Sequence, residues 1–553
     1  MNLHPTHQRA ILGRVLCEDT AAIGWLKAAS TSNFPDPLER DIFKVMRQLA
    51  AGGEPINLVS IVEAGKKAGD WQMEWDRFLA ELFSLGMTIS DVGPHIRAIA
   101  EVKDGVSVSS EADIRGALIQ ILNSKGLSKV EQKTQAGSAV VEALLQRGKF
   151  YFHAERKDFA SSMFFDGQRK TLLRIQSDKF LSWLAGWLSV NRTDSLFTYA
   201  KSAVEDAALS GQATRGIIPE SFFCSRASAV YLSCGDGRIM KVTPGKVEMT
   251  DNGADGILFA AGRTLPAWKI TEPKDPFSTC SLFRNVNCAA AHGLDLIRLF
   301  FLSLPTCPTC KPPLSLSGDV GSGKTRLARG IAEIYGLPEV VNKVEETGEG
   351  DFWVSMDSGG LVILDNADTK TSWLADALAA AATGGCKEKR RLYSDSDTVR
   401  LRARSWVAVT SANPTFASDS GLADRLLVTR MNRREGETAD AVLSEEIQAN
   451  RDAALSWVVQ TISAALADVG PVPKGLNSRH PDFAAFGVRL GRAMGREQEA
   501  IKTLRAAEAD KAAFCIEHDV VGAALINLIQ LESTEFSGCD KAGFWHGDWV
   551  SNV

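Results

Sequence analysis

Apolar residues recur at helical spacing through the first hundred residues. In the segment HQRAILGRVL four of them share one face of a helix: Ala10, Ile11, Val15 and Leu16. The segment DPLERDIFKVMRQLAAGG repeats this pattern and ends in a Gly-Gly stop. Residues 102–147 are also helical in pattern but more polar, with breaks rich in Gly, Ser and Lys. We therefore predict an α-helical bundle over residues 1–101 and a helical linker over 102–147.

The pattern changes after residue 148 to short stretches that are separated by turn residues. AVYLSCGDGRIMKVTPGKVEMTDNG alternates apolar and polar positions around Gly-Asp-Gly and Pro-Gly turns, which predicts antiparallel strands. Further on, short apolar runs alternate with helical segments, and beyond residue 435 the chain becomes Ala-rich and helical. The predicted fold is multidomain, with an α+β middle domain over 148–285, an α/β core over 286–436, and a helical lid and C-terminal domain over 437–553.

Composition narrows the class of protein. The 45% hydrophobic and 23% charged residues are typical of globular domains, and no apolar run of about 18 residues predicts a membrane span. The start lacks the pattern of a secretory signal, and ten scattered cysteines fit a reducing compartment, so we expect a cytoplasmic protein. Because the net charge is −5, any contact with nucleic acid requires a local basic surface.

One segment carries a specific chemical signature, GDVGSGKT, between an apolar strand and a helix. It matches the phosphate-loop pattern G-x-x-x-x-G-K-[ST] at every fixed position. Its glycines let backbone amides face phosphates, Lys324 would reach the β- and γ-phosphates, and the Thr325 hydroxyl would bind Mg²⁺. We predict that ATP and Mg²⁺ are bound by this loop: Gly318, Asp319, Val320, Gly321, Ser322, Gly323, Lys324 and Thr325.

A second candidate lies about forty residues further on, in GGLVILDNAD. The apolar run 361–364 ends in Asp365, where a second Mg²⁺-organising carboxylate belongs, although a core strand ending in a turn has the same pattern. The next residue is Asn366, where many ATPases place a glutamate that polarises the attacking water. Asn366 can orient water but cannot accept a proton. Either Asp368 or another group accepts that proton, or hydrolysis is slow.

Two further polar residues follow apolar segments. SWVAVTSANP predicts a strand that ends near Asn413, whose amide could contact the γ-phosphate or simply form a turn before Pro414. GLADRLLVTR places Arg425 after a short acidic turn. An arginine supplied there by a neighbouring subunit would stabilise charge on the γ-phosphate, whereas an arginine beside an aspartate is often a surface ion pair.

This constellation resembles the core of AAA+ ATPases, and most closely the superfamily 3 and phage- or plasmid-type helicases, over residues 290–440. The resemblance implies a ring, usually a hexamer, with ATP at the subunit interfaces. It assigns Lys324 and Thr325 to the phosphates and Mg²⁺. It assigns Asp365 to Mg²⁺, Asn413 to sensing, and Arg425 to a finger inserted in trans. Asn366 departs from the usual glutamate, which weakens the catalytic detail more than the family resemblance.

The stretch TGGCKEKRRLYSDSDTVRLRARSW is strongly basic and predicts a β-hairpin with a Ser-Asp-Ser-Asp turn. Basic side chains on such a hairpin suit phosphate contacts with DNA, and a tyrosine can stack on a base. The alternative is a solvated hairpin face. In the family that the core resembles, a hairpin at this place lines the ring's pore, and the candidate DNA-binding residues are Lys387, Lys389, Arg390, Arg391 and Tyr393.

The N-terminal hundred residues carry an independent resemblance. Ile11-Leu12-Gly13, Asn33-Phe34, Arg40-Asp41-Ile42-Phe43 and Gly53-Glu-Pro55-Ile56-Asn57 are similar to the N-terminal helical domain of DnaB-type replicative helicases. Asn57 replaces the usual aspartate at a capping position, where either residue works. The resemblance implies a protein–protein module for ring assembly and for docking a primase or loader. An unrelated helical bundle is the alternative.

Together these features predict an ATPase, specifically a ring-forming DNA helicase or translocase that moves single-stranded or forked DNA in replication of a phage or mobile element. A replication initiator or helicase loader, and a protein-remodelling or defence-system ATPase, are the alternatives. Cys307 and Cys310 form a lone CxxC pair in a Pro-rich loop. Zinc requires four ligands, for which Cys280 and Cys288 are the nearest possible partners, but we expect unpaired loop cysteines instead.

Overall fold

The computed structural model describes residues 5–29, 37–68, 74–88, 111–124, 127–155, 161–209, 214–339, 341–368, 371–390, 398–433, 436, 438–518, 521, 522, 524, 525, 528 and 529. The chain divides into two compact units, Met1–Gln168 with Leu173–Ile217, and Arg169–Leu172 with Ile218–Val553. The segment predicted as a middle domain, 148–285, contributes residues to both units. No helix in the described ranges is long and apolar enough to cross a membrane.

The first part of unit 1 is helical, as the apolar spacing predicts. Its helices are α1 Pro5–Leu16, α2 Thr20–Ala28, α3 Pro37–Gly52, α4 Leu58–Ala68 and α5 Glu74–Thr88. Asn57 caps α4, because its side-chain oxygen accepts a hydrogen bond from the Ser60 amide at 2.9 Å. The four apolar residues predicted to share a helix face in α1 are all buried.

Helices α1 and α5 approach each other closely at two glycines. A Cβ atom on Gly13 would lie 2.3 Å from the Leu82 carbonyl oxygen, and one on Gly86 would lie 2.2 Å from the Gly13 carbonyl oxygen. The glycine in the Ile-Leu-Gly sequence is therefore required by backbone packing between two helices, since any side chain at Gly13 would push them apart.

The rest of unit 1 combines helices with a small sheet around its own apolar cluster, which runs from Ile114 to Ala208. The sheet has the order β3-β2-β1-β4. The elements are α6 Glu111–Leu122, α7 Lys129–Arg147, β1 Gly148–His153, β2 Met163–Asp166, β3 Thr171–Arg174, α8 Asp178–Leu188, α9 Ser195–Leu209 and β4 Thr214–Ile217.

Unit 2 begins with a four-stranded antiparallel sheet of order β5-β6-β7-β8. Its strands are β5 Phe223–Arg226, β6 Ala229–Ser233, β7 Arg238–Thr243 and β8 Lys246–Asp251. The turn glycines Gly235, Gly237 and Gly245 all have positive φ, which explains why the Gly-Asp-Gly and Pro-Gly sequences turn the chain there. The alternation in the sequence thus predicts these strands correctly.

A five-stranded parallel sheet forms the centre of unit 2, in the order β10-β11-β14-β9-β15. Side chains alternate between two apolar clusters: Leu361 and Ile363 face one, and Val362 and Leu364 face the other. Burial on both faces explains the continuous apolar runs in the sequence. The strands are β9 Leu314–Ser317, β10 Val341–Lys343, β11 Leu361–Asp365, β14 Trp406–Ser411 and β15 Leu427–Arg430.

Helices cover this sheet, and a two-stranded hairpin precedes β14. The hairpin strands β12 Cys386–Arg390 and β13 Thr398–Arg402 are antiparallel, as predicted. The short helices are α10 Pro276–Thr279, α11 Ser281–Arg284 and α16 Ser420–Ala423. The longer ones are α12 Gly293–Ser303, α13 Lys324–Tyr335, α14 Glu349–Asp357, α15 Leu374–Ala382, α17 Asp440–Ala467, α18 Pro481–Ala493 and α19 Glu497–Glu517.

Candidate functional site

The loop between β9 and α13 has the backbone of an anion cradle. Gly318, Gly321 and Gly323 all have positive φ, a region that other residues rarely adopt. A Cβ on Gly318 would lie 2.0 Å from the Met431 carbonyl oxygen, so the close approach of that segment also requires glycine. Gly323 precedes α13 without a side-chain cap, which leaves the first amides of a twelve-residue helix available to an anion.

Lys324 lies at the start of α13, and its ammonium group points into the loop. Its Nζ donates to the carbonyl oxygens of Gly318 at 2.6 Å and Asp319 at 2.8 Å, and to Ser322 Oγ at 3.1 Å. Burial lowers the pKa of Lys324 below its ordinary value. Three nearby carboxylates oppose that shift and favour the charged form: Asp368, Asp319 and Asp365.

Asp365 ends β11 and lies beside the phosphate loop. The Thr325 hydroxyl donates to Asp365 Oδ1 at 2.6 Å, and the Thr410 hydroxyl donates to the same oxygen. A hydroxyl and a carboxylate in contact are the hard oxygen ligands that Mg²⁺ prefers, usually with only one or two carboxylates and several waters or phosphate oxygens. The Thr325–Asp365 pair thus has the donor chemistry that suits a Mg²⁺ ion bound together with phosphates. The described residues contain no group of three or more His, Cys, Asp or Glu that could hold a metal.

The residue after Asp365 adopts an unusual backbone conformation. Asn366 has a φ of 54°, its side chain is exposed, and its amide lies 3.4 Å from Thr410 Oγ1. Asparagine tolerates the left-handed region better than most residues with a Cβ. A tight left-handed turn after β11 thus gives a structural reason for asparagine at this position.

Asp368 connects this turn to the end of β14. Its Oδ1 accepts hydrogen bonds from Ser411 Oγ at 2.6 Å and from the amides of Ala412 at 2.6 Å and Asn413 at 2.9 Å. Burial alone would raise the pKa of Asp368, but these hydrogen bonds and the charge of Lys324 outweigh it and lower the pKa. The three hydrogen bonds tie the turn after β11 to the end of β14, so Asp368 acts as a clamp between these two segments.

The structure brings Asn413 to the same edge of the sheet. Its strand β14 lies between β9 and β11, its side chain is exposed, and its amide binds Asp368. Asn413 is thus linked to the loop indirectly, because Asp368 accepts a hydrogen bond from its amide and also acts electrostatically on Lys324.

Arg425 lies outside this cluster of contacts. Its Nη1 donates to the Gly421 carbonyl of its own chain, and its Nε is buried without a hydrogen-bond partner among the described residues. His480 Nε2 lies 3.2 Å from the Arg425 carbonyl oxygen. Burial lowers the pKa of His480 to about 4, so the imidazole is neutral near pH 7 and can donate this bond.

Several cations of the β12–β13 hairpin have partners in their own chain. Lys387 pairs with Glu349, and Arg400 donates to Glu388 at 2.9 Å. Lys389 is exposed and forms no ion pair within the described part of the chain. The Arg390 backbone ends β12, but its side chain lies outside the described residues, as do Arg391 and Tyr393.

Reasoning from sequence did not include two residues beside the loop. Thr410 binds Asp365, and Arg433 Nε lies 3.7 Å from the position that a Cβ on Gly321 would occupy. Thr410 is the penultimate residue of the apolar strand β14, and a hydroxyl at that position could have indicated a polar contact at the sheet edge. Arg433 follows β15 by three residues, and only the fold shows that this strand lies next to β9.

Comparison with known proteins identifies two regions of the chain. Residues 4–101 match the DnaB-like helicase N terminal domain, which confirms that resemblance. Residues 280–513 match the family described as Actinomycete integrative conjugative element replication protein. No curated protein matches the chain significantly.

Two solved structures of the NrS-1 C-terminal region are similar to part of the chain. The A form apo structure is 12% identical with a TM-score of 0.35, and covers 58% of this chain and 68% of that one. The apo structure of residues 305–718 is 11% identical with a TM-score of 0.35, and covers 68% of this chain and 88% of that one. Scores this low do not establish a shared fold.

The two family matches do not overlap, and each lies within a region built from its own apolar clusters. The first family is described as a helicase domain and the second as a replication protein. The chain therefore carries a DnaB-like helicase N-terminal domain followed by a replication-protein domain of the actinomycete integrative conjugative element type.

Proposed function

We propose that the protein is an ATP-hydrolysing ring translocase or helicase that moves single-stranded or forked DNA during replication of a mobile element. The observation that carries this proposal is the 2.6 Å hydrogen bond from Thr325 Oγ1 to Asp365 Oδ1. It joins the end of the phosphate loop to the acid-ended strand, so that both oxygen ligands for Mg²⁺ meet beside Lys324.

The chain's own residues have distinct tasks in this proposal. Bound Mg²⁺–ATP supplies the phosphoanhydride bond that is cleaved. The loop amides and Lys324 hold the phosphates, and Thr325 with Asp365 holds the ion. Asn366 and Asn413 orient water, since neither amide accepts a proton at neutral pH. Hydrolysis without a strong base near the loop is expected to be slow in the free protein.

The sheet order supports an AAA+ type of core. Strand β14 lies between β9 and β11, so the Asn413 edge lies beside the phosphate strand, as the AAA+ resemblance implies. Arg425 is proposed to act on a neighbouring subunit in a ring, with a hexamer as the expected size. The N-terminal domain is proposed to help ring assembly and to dock a primase or loader.

A replication initiator or helicase loader is the second candidate. The ion pairs of Lys387 and Arg400 favour it, because cations that are neutralised within the chain contribute less to a DNA-lined pore. In that case ATP binding would act as a switch, and no strand displacement would accompany it. A protein-remodelling ATPase would hydrolyse ATP independently of any nucleic acid.

ATP hydrolysis by the full-length protein, with and without single-stranded DNA across a salt series, tests the proposal. We expect several-fold stimulation by DNA that declines with salt, and loss of hydrolysis in Lys324→Ala. An unwinding assay on a forked duplex then separates the helicase from the loader. Normal hydrolysis by Lys324→Ala would overturn the nucleotide site, and a rate indifferent to DNA would overturn the role on DNA.

A further inference from the structure

Arg433 occupies a fixed position beside the phosphate loop. The segment that carries it is held on two sides: the Met431 amide donates to the Ser317 carbonyl at 2.7 Å, and the Asn432 amide donates to the Asn287 carbonyl at 2.9 Å. Asn287 Nδ2 also donates to the Arg433 carbonyl at 3.2 Å. The backbone of Arg433 is therefore anchored both to β9 and to the chain before α12.

The Arg433 side chain, in contrast to its backbone, is exposed. Within the part of the chain that the structure describes, it forms no ion pair. Its Nε lies 3.7 Å from the position of a Cβ on Gly321, near the middle of the loop. Gly321 has a φ of 84°, so the backbone there is already in the conformation that exposes amides to an anion.

The local charge balance indicates what this cation binds. Asp319, Asp365 and Asp368 all interact electrostatically with Lys324, so carboxylates outnumber the single ammonium group at the loop. A nucleoside triphosphate adds further negative charge, and one lysine with one Mg²⁺ leaves much of it unbalanced. An unpaired guanidinium at the rim is suited to this task, because it binds phosphate oxygens through a rigid set of donors.

We infer that Arg433 contacts the phosphates of the nucleotide bound by the loop of its own chain, as a second phosphate-binding cation beside Lys324. This inference rests on the proposed ATP site and adds to it a residue that acts in cis. The two arginines therefore have different proposed roles. Arg425, whose guanidinium donates to the Gly421 carbonyl, is proposed to act on the nucleotide of a neighbouring subunit, whereas Arg433 acts on the nucleotide of its own chain.

The test is a binding measurement on the full-length protein. Fluorescent N-methylanthraniloyl ATP and ADP are titrated into wild type, Lys324→Ala, Arg433→Ala and Arg433→Lys, with inorganic tripolyphosphate as a competitor. Arg284→Ala is the matched control, because it removes an exposed arginine from α11, three residues before Asn287. We expect Arg433→Ala to weaken the binding of ATP and tripolyphosphate roughly ten- to hundredfold. Arg433→Lys should be intermediate and Arg284→Ala unchanged.

The outcomes separate this inference from the proposed function. If wild type binds ATP, Lys324→Ala does not, and Arg433→Ala binds as wild type does, the inference is wrong and the ATP site stands. If wild type and Lys324→Ala bind equally poorly, both are wrong. An Arg433→Ala defect that leaves tripolyphosphate competition unchanged would also overturn the phosphate contact.

A mixing experiment decides between cis and trans action. Arg433→Ala and Lys324→Ala proteins are combined and their ATP hydrolysis is compared with that of each alone. If Arg433 serves its own loop, no mixed interface is complete and hydrolysis does not recover. Recovery of hydrolysis would mean that Arg433 acts on a neighbour's loop, which overturns the assignment in cis.

Discussion

The carboxyl edge of the parallel sheet and the β12–β13 hairpin use similar residue types in opposite ways. At the sheet edge, three carboxylates act electrostatically on Lys324, and the hydroxyls of Thr325 and Thr410 both donate to Asp365. On the hairpin, Lys387 is paired with Glu349 and Arg400 with Glu388.

The difference lies in how the charged groups are held. The sheet edge fixes its polar groups by strand ends and backbone amides, so they converge where a ligand can use them. The hairpin places its cations on exposed strands, where ion pairs contribute only about 0–1 kcal/mol and are screened by salt. Basic residues in a sequence therefore do not by themselves indicate a DNA-binding surface, because the fold can pair them with acidic residues nearby.

The largest expected effect comes from the sheet edge. Asp365→Asn preserves the shape of the side chain but removes the charge that the proposed Mg²⁺ site requires, so we expect ATP hydrolysis to fall at least about a hundredfold. Asp357→Asn is the matched control, since Asp357 accepts a hydrogen bond from the Arg402 amide at the base of the hairpin at 3.1 Å. Steady-state hydrolysis measures both. Equal losses in the two variants would remove the distinction between the regions.

An intermediate effect is expected at Asp368, whose hydrogen bonds stabilise the sheet edge. Replacing Asp368 with alanine removes three hydrogen bonds and should lower the free energy of unfolding of unit 2 by about 1–3 kcal/mol at pH 7. Folding lowers the pKa of Asp368 below 3.8. The stabilisation that depends on its negative charge is therefore fully present well above pH 3.8, and it is lost as the pH falls through the pKa of the folded state. The difference in thermal stability between wild type and Asp368→Asn, measured from pH 7 to below pH 3.8, reports this charge-dependent stabilisation. A difference that persists unchanged at the lowest pH would contradict the clamp.

The smallest effects are expected on the hairpin, and they test whether pairing matters. Lys389→Ala should weaken binding of single-stranded DNA and reduce the salt dependence of log K by about 0.7, as expected for one lost phosphate contact. Lys387→Ala should change the affinity by less than about twofold, because its charge is already paired with Glu349. Fluorescence anisotropy across a salt series measures both variants. An equal loss in Lys387→Ala would show that DNA competes successfully for paired cations.

Much of the local structure was predictable from sequence. The helical spacing around Ile11, the alternation around the Gly-Asp-Gly turn, and the apolar run before Asp365 each follow from neighbours within a few residues. The phosphate loop was equally predictable, because its glycines are required by local backbone conformation. The N-terminal resemblance rested on features of the same kind, such as the capping Asn57.

The partners of the site residues were not predictable in this way. Thr410 reaches Asp365 across 45 residues, and Asp368 binds amides more than 40 residues later. The sequence predicted Lys387 as a candidate DNA-binding residue, and only the fold shows that it pairs with Glu349 and that Arg400 pairs with Glu388.

The sequence by itself thus determined the local elements, namely the helices, the strands and the conformation of the glycine-rich loop, since these depend on backbone dihedrals and short-range periodicity. The tertiary structure alone decided which strands are neighbours, and therefore which charges meet. That decision placed Asp368 under three hydrogen-bond donors and paired Lys387 with Glu349. It also set Arg433 beside Gly321, without an ion pair among the residues that the structure describes. The physical reason is that electrostatic energy depends on distance in space, and strand order sets that distance.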